Sequence, residues 1–278
     1  MNGDNQYRPR GFMLLPPVVK NLLILNGLFF LATIAFSSRV DLQNILGLHY
    51  FFSDAFRPYQ LLSYMFMHGN FTHLFFNMFA LWMFGNVLEN IWGPKRFVIY
   101  FLVTGVGAAI VHYAVFYFVD ARPMLKAIDA VLADPSVGSV TSFFNESGKF
   151  VNFREISGEY SRFATTFNDL RISDPQLAVQ RGIDFLTYYK SAFLSAPVVI
   201  GASGAVFGIL LAFGMMFPNS LIYLYFFFPI KAKWFVIIYG AIELYLGFSQ
   251  SDSNVAHFAH LGGMVFGFFL IRYWKKQI

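Results

Sequence analysis

The chain has 278 residues, of which 57% are hydrophobic and 20% aromatic but only 13% charged, with a mean hydropathy of +0.54. A soluble domain carries about 25% charged residues, so halving that share while including 37 Phe points to a polytopic membrane protein. The cysteine count is zero, which excludes disulfides, Cys-ligated zinc and a thiol nucleophile. The formal charge of +5 is a matter for topology, as the placement of the basic residues shows.

In chain order, residues 1–20 form a short basic tail, and Asn21 to Phe36, with Val18 and Val19, makes a first span just under the roughly 20 residues a bilayer asks for. No small-residue cleavage site ends it, so it reads as a retained span rather than a signal peptide. Residues 37–70 mix Arg39, Asp41, Asp54, Arg57, Pro58, histidines and aromatics, a composition suited to an interfacial loop. Phe71 to Val87 is the second span, and a loop holding Glu89, Trp92, Gly93, Lys95 and Arg96 leads to the third, Phe97 to Val119. Residues 120–190 then hold 17 of the 35 charged side chains, and the helical spacing of Leu125–Leu132 and Pro175–Tyr189 makes this a partly helical extramembrane insertion. The fourth span is expected over Ala192 to Phe217, which has no charged residue; an interfacial stretch follows, then a fifth span over Trp234–Phe248 and a sixth over Val255–Ile271. The chain thus divides into a tail (1–20), three spans with their loop (21–119), the insertion (120–190), and three further spans with a basic end (191–278). The expected fold is all-α: a six-transmembrane-helix bundle.

Orientation follows from the short loops. With the N-terminus cytoplasmic, Arg8, Arg10, Lys20, Lys95, Arg96, Lys231, Lys233, Arg272, Lys275 and Lys276 lie inside, against Arg39 and Arg57 in the short outer loops. The insertion is then outside, where long loops cross regardless of charge. The basic pI needs no nucleic acid to explain it. Both termini are expected in the cytoplasm, and a bacterial plasma (inner) membrane suits the short basic start.

Few strongly polar side chains fall within the spans: His73 and Asn77 in the second, His112 in the third, Ser203 in the fourth, Glu243 in the fifth, His257 and His260 in the sixth. Ionisable groups at membrane depth cost a few kcal/mol, so each is first read as functional. Gly201-Ala202-Ser203-Gly204-Ala205-Val206-Phe207-Gly208 has Gly204 and Gly208 four apart, a spacing that lets helix backbones approach. Taken alone, packing is the commoner role of such a run. It is not a soluble-hydrolase elbow, because Ala205 holds the last glycine position and no strand-to-helix turn is expected. Ala259, Gly263 and Gly267 line one face of the sixth span. Two smooth faces packed together would bring Ser203 within reach of His260, a serine beside a base. Phe207, one turn after Ser203, could support the imidazole. His73 and Asn77 share a helix face and both donate hydrogen bonds, as does the Ser203 amide, which suits an oxyanion as well as plain interhelical bonding. His257-x-x-His260 has metal-ligand spacing, with Glu243 on the fifth span as a third candidate ligand, but no H-E-x-x-H is present, so Glu243 is expected to pair with a polar neighbour in the bundle and no metal or cofactor is expected.

Taken together, Gly201-Ala202-Ser203-Gly204, His260 followed by Gly263, and His73-x-x-x-Asn77 resemble a rhomboid intramembrane serine protease. The likeness covers Tyr59–Gly93, Pro197–Pro218 and Val255–Gly267, within a six-helix core of about 180 residues. It implies a Ser203–His260 dyad without a carboxylate, supported by Phe207, Gly201, Gly204 and Gly263. His73, Asn77 and the Ser203 amide would form the oxyanion hole. It further implies single-span membrane-protein substrates cleaved near the outer face of the lipid bilayer; nothing in it fixes an oligomeric state. Phe56-Arg57 stands where many members have Trp-Arg, and the insertion has no counterpart in the minimal core. Two other readings remain: a silent rhomboid-like protein that escorts membrane clients, and a small proton- or metal-coupled transporter using His73, His257, His260 and Glu243.

Overall fold

The computed structural model describes residues 12–147, 154–224, 227–249 and 256–275. Arg8, Arg10, Lys276 and the start of the sixth span at Val255 lie outside these. The chain is overwhelmingly helical and separates into two units. The first comprises residues 1–46, 61–111 and 200–278, and the second residues 47–60 and 112–199.

The main helices are α1 (Pro17–Phe36), α2 (Phe71–Trp92), α3 (Pro94–Ala133), α4 (Val137–Ser147), α5 (Arg154–Ser173), α6 (Pro175–Ser195), α7 (Ser203–Met216), α8 (Ala232–Ser249) and α9 (His257–Lys275). Among the described residues α1, α2, α3 and α8 are long and apolar enough to cross a bilayer. Together with α7 and α9 they make the polytopic all-α membrane fold that the composition demands.

The first unit holds most of these helices. Here α2 runs on through Glu89 to Trp92 instead of ending at Val87, and Gly93, at φ 77°, stops it. The carboxylate expected in a loop is therefore on a helix, and it has a structural task. Glu89 is buried and accepts hydrogen bonds from Val18 N (2.9 Å) and Val19 N (2.7 Å), two of the amides left unpaired at the start of α1. Asn90 exchanges hydrogen bonds with the backbone of Met13, and Asn86 donates to Leu14 O. The stretch expected at the interface after α7 forms an antiparallel hairpin, β3 (Leu221–Leu224) with β4 (Phe228–Lys231).

The largest departure concerns the fourth span. A continuous apolar run from Ala192 to Phe217 reads as one long helix, yet α7 begins only at Ser203 and has 14 residues. At about 1.5 Å per residue it is roughly 21 Å long, short of the ~30 Å hydrocarbon core. Pro197 and Gly201, the latter at φ 123°, break the run before it. Such a short helix belongs inside a bundle, and nine of its residues are buried.

Its neighbours come unusually close. A Cβ on Gly263 of α9 would collide with the carbonyl oxygen of Gly204, so these two helices meet backbone to backbone. On the α3 side Gly208 faces Thr104, where a Cβ would stand 2.7 Å from the threonine Cβ, and Tyr100 donates to Gly208 O at 2.8 Å.

The second unit contains the C-terminal part of α3 with α4, α5 and α6. It has its own core, built around Ile128, Val140, Phe143, Phe163, Phe185 and Tyr189. Phe163 and Phe185 stack with centroids 4.3 Å apart. In the same unit β1 (Leu48–His49) pairs antiparallel with β2 (Val198–Val199). His112, one of the polar residues singled out in the spans, lies in this unit with its ring edge-on to Tyr113.

Candidate active site

Ser203 is the first residue of α7, and the first α-helical hydrogen bond of that helix runs from Val206 N to Ala202 O. The amides of Ser203, Gly204 and Ala205 therefore have no partner in the helix, and the helix dipole adds a partial positive charge at the serine. The non-helical approach to Ser203 is held in place: Gly201 N donates to Tyr64 O at 2.9 Å, and Ala202 is fully buried. Irregular backbone at membrane depth survives only where protein or a water-filled cavity surrounds it.

The tight packing of Gly204 against Gly263 brings α9 alongside, and His260 Nε2 lies 2.8 Å from Ser203 Oγ. Phe207, one turn into α7, lies flat against the imidazole, with centroids 4.2 Å apart and planes within 3°. Tyr239 of α8 stacks on Phe207 at 5.2 Å. The imidazole is thus held by a column of rings, and only 8% of His260 is exposed.

Across from this serine–histidine pair, Gly201 adopts a left-handed backbone conformation at φ 123° with the His73 ring close against it. A Cβ placed there would lie 2.8 Å from His73 Cε1 and Nε2, and 3.6 Å from Ser203 Oγ. The absence of a side chain at Gly201 thus lets the His73 ring lie against the backbone beside Ser203 Oγ. Asn70 caps α2 by accepting from His73 N at 2.8 Å, which fixes the turn carrying His73. Asn77 sits one turn deeper with its Nδ2 donating to His73 O at 2.9 Å. One of its two amide protons is engaged in that bond. His68, just before α2, has its ring 4.9 Å from His73. Burial, with His73 adding to it, holds the His68 imidazole down at about 4, so near neutral pH it sets no charge beside the site.

The resemblance implied a dyad without a carboxylate, and here the structure differs. Glu243 of α8 is buried and its Oε2 lies 2.8 Å from His260 Nδ1 and 2.7 Å from His257 Nδ1. The metal-ligand spacing seen in the sequence thus does converge: ligand atoms of Glu243, His257 and His260 lie within 4.8 Å of one another. The sequence offered Glu243 as a companion to the His257-x-x-His260 spacing, but the register of α8 against α9, two separate helices, is not written in it.

A serine hydrogen-bonded to a buried histidine, enclosed in a polytopic helical bundle, defines the class: a polytopic membrane protein with a Ser–His pair in its interior. The profile of the Rhomboid domain matches residues 55–139 and 182–277, and the chain belongs to the rhomboid family. Members of this family are in general intramembrane serine proteases. No curated protein matches the chain.

Proposed function

We propose that this chain is an intramembrane serine endopeptidase acting on single-span membrane proteins, with Ser203 as nucleophile and His260 as general base. The observation that carries this reading is the 2.8 Å hydrogen bond between Ser203 Oγ and His260 Nε2 at the N-terminus of a buried helix. Ser203 Oγ forms a bond to the scissile carbonyl carbon as its proton passes to His260 Nε2. The same proton is then given to the leaving amine as the C–N bond breaks. Water repeats the sequence in reverse and frees the acid product.

The developing oxyanion falls beside Ser203, on the side where Gly201 lets the His73 ring come close. The Ser203 amide and His73 Nε2 border that position, and the second amide proton of Asn77 completes the donor set. Donors placed in advance against such a charge are often the largest single contribution to rate, each worth about 10²–10³-fold. The distribution of Lys and Arg supports cytoplasmic termini and cleavage towards the outer face.

The test is cleavage of a single-span substrate in proteoliposomes, together with labelling by a fluorophosphonate probe. Wild type should cleave and label, and Ser203→Ala should do neither while keeping its melting temperature. A folded wild type that neither cleaves nor labels would favour the client-binding reading instead.

A further inference from the structure

We propose that Glu243 is a positioning residue that converts the Ser203–His260 pair into a carboxylate-assisted triad, with His257 holding the carboxylate in place. This rests on the reading of Ser203 and His260 as nucleophile and base.

Glu243 is 6% exposed on a membrane-spanning helix, where an unpaired charge is costly. Its Oε2 meets two imidazole nitrogens at hydrogen-bond distance, His260 Nδ1 at 2.8 Å and His257 Nδ1 at 2.7 Å. A carboxylate only accepts, so both Nδ1 atoms carry protons. That fixes the tautomer of His260. With the proton on Nδ1, Nε2 presents a lone pair, and Ser203 Oγ at 2.8 Å is the group that donates to it. The geometry therefore selects the one neutral form of His260 that can act as a base towards Ser203.

The same contact matters more once the reaction starts. When Nε2 takes the serine proton the imidazole becomes a cation, and Glu243 lies directly opposite at Nδ1. The carboxylate does not receive that proton; it orients the ring and stabilises the charge until Nε2 returns the proton to the leaving amine. His257 keeps Oε2 from swinging away, since its Nδ1–H is aimed at the same oxygen. The charged and titratable groups gathered here are Glu243 on α8, His257 and His260 on α9, and His73 on α2 across the serine. The stacked Phe207 and Tyr239 rings restrict imidazole tilt but say nothing about which nitrogen is protonated; Glu243 does.

A bound divalent ion is the competing use of the same atoms. Ligands about 2.0–2.2 Å from a tetrahedral zinc stand roughly 3.2–3.5 Å apart, wider than the 2.7 and 2.8 Å seen at Glu243. Those distances are hydrogen bonds.

The experiment measures kcat and KM for a single-span substrate in proteoliposomes with wild type, Ser203→Ala, Glu243→Gln and Glu243→Asp, each rate referred to folded protein. Glu243→Gln keeps shape while removing charge, and kcat should fall about 10²- to 10⁴-fold with KM unchanged. Glu243→Asp keeps the charge but shortens the side chain, so it should retain more activity than Gln. A packing role predicts the opposite ranking, and finding it would overturn the proposal. So would an unchanged kcat in Glu243→Gln alongside a dead Ser203→Ala, which would leave the protease reading intact. Activity lost on chelation and restored by zinc would assign the cluster to a metal and overturn it as well. A wild type whose cleavage survives Ser203→Ala would overturn both readings together.

Discussion

Gly201 stands two residues before Ser203 with φ at 123°, a region L side chains rarely enter, and a Cβ there would press 2.8 Å from the His73 ring. Both constraints act at the place where the proposed mechanism puts the developing substrate charge. Gly201→Ala should therefore leave the bundle folded but slow fluorophosphonate labelling of Ser203 by roughly tenfold or more, from about 1–3 kcal/mol of local strain. Normal labelling in that variant would show that the close approach of Gly201 to the His73 ring is not needed for the reaction. At this scale much of the site was readable in advance. Ser203 and Phe207 share a helix face by their spacing of four, and Gly263 follows His260 by three, so one packed helix pair presents all of them. The geometry of Gly201 was not readable, since a glycine in an apolar run carries no sign of its φ. Nor was Glu243, whose partners are 14 and 17 residues away on another helix; hydropathy marks it as costly but does not say to what it is bonded.

Helix limits in this chain are set by polar groups that hydropathy cannot see. The run before Ser203 is apolar throughout, yet the helix starts in its middle because Pro197 and Gly201 interrupt it and Gly201 N is taken by Tyr64 O. Hydropathy reports where a chain prefers lipid, not where its hydrogen bonds close. Glu89 is the complementary case. A charged residue at the end of an apolar span reads as loop, but its carboxylate accepts from two orphan amides of α1 and lies close to that helix's positive end. Hydrogen bonds to a charged group are worth about 1.5–3 kcal/mol each. Gln at this position offers one oxygen, and turns an N–H₂ towards the other amide. Glu89→Gln should thus lower stability by roughly 1–3 kcal/mol, seen as a lower melting temperature in detergent, while Ser203 labelling at low temperature keeps its wild-type rate. An unchanged melting temperature would mean that the tie between α1 and α2 is not what holds α1 in place.

The whole molecule combines a family core with added chain. The family match breaks off after residue 139 and resumes at 182, and the skipped stretch holds the end of α4, all of α5 and the start of α6. Composition marked this region as different through its charges, but its aromatic core was hidden. Phe163, Phe167 and Phe185 are spread over two helices, and only folding brings them together. The ends of the skipped stretch are neighbours: a Cβ on Gly182 would lie 2.8 Å from Val140 Cγ2. A short Gly/Ser linker can therefore replace residues 140–181, removing most of α4, all of α5 and the first turns of α6, provided that Ile128, Phe185 and Tyr189, which lose their cover, are changed to polar residues. Ser203, His260, His73, Asn77 and Glu243 all belong to the unit that this excision leaves untouched. The shortened protein should label with fluorophosphonate at the wild-type rate. If the insertion serves recognition, cleavage of a single-span substrate falls through KM while labelling stays constant. If both fall together, the inserted helices are part of what keeps the family core folded.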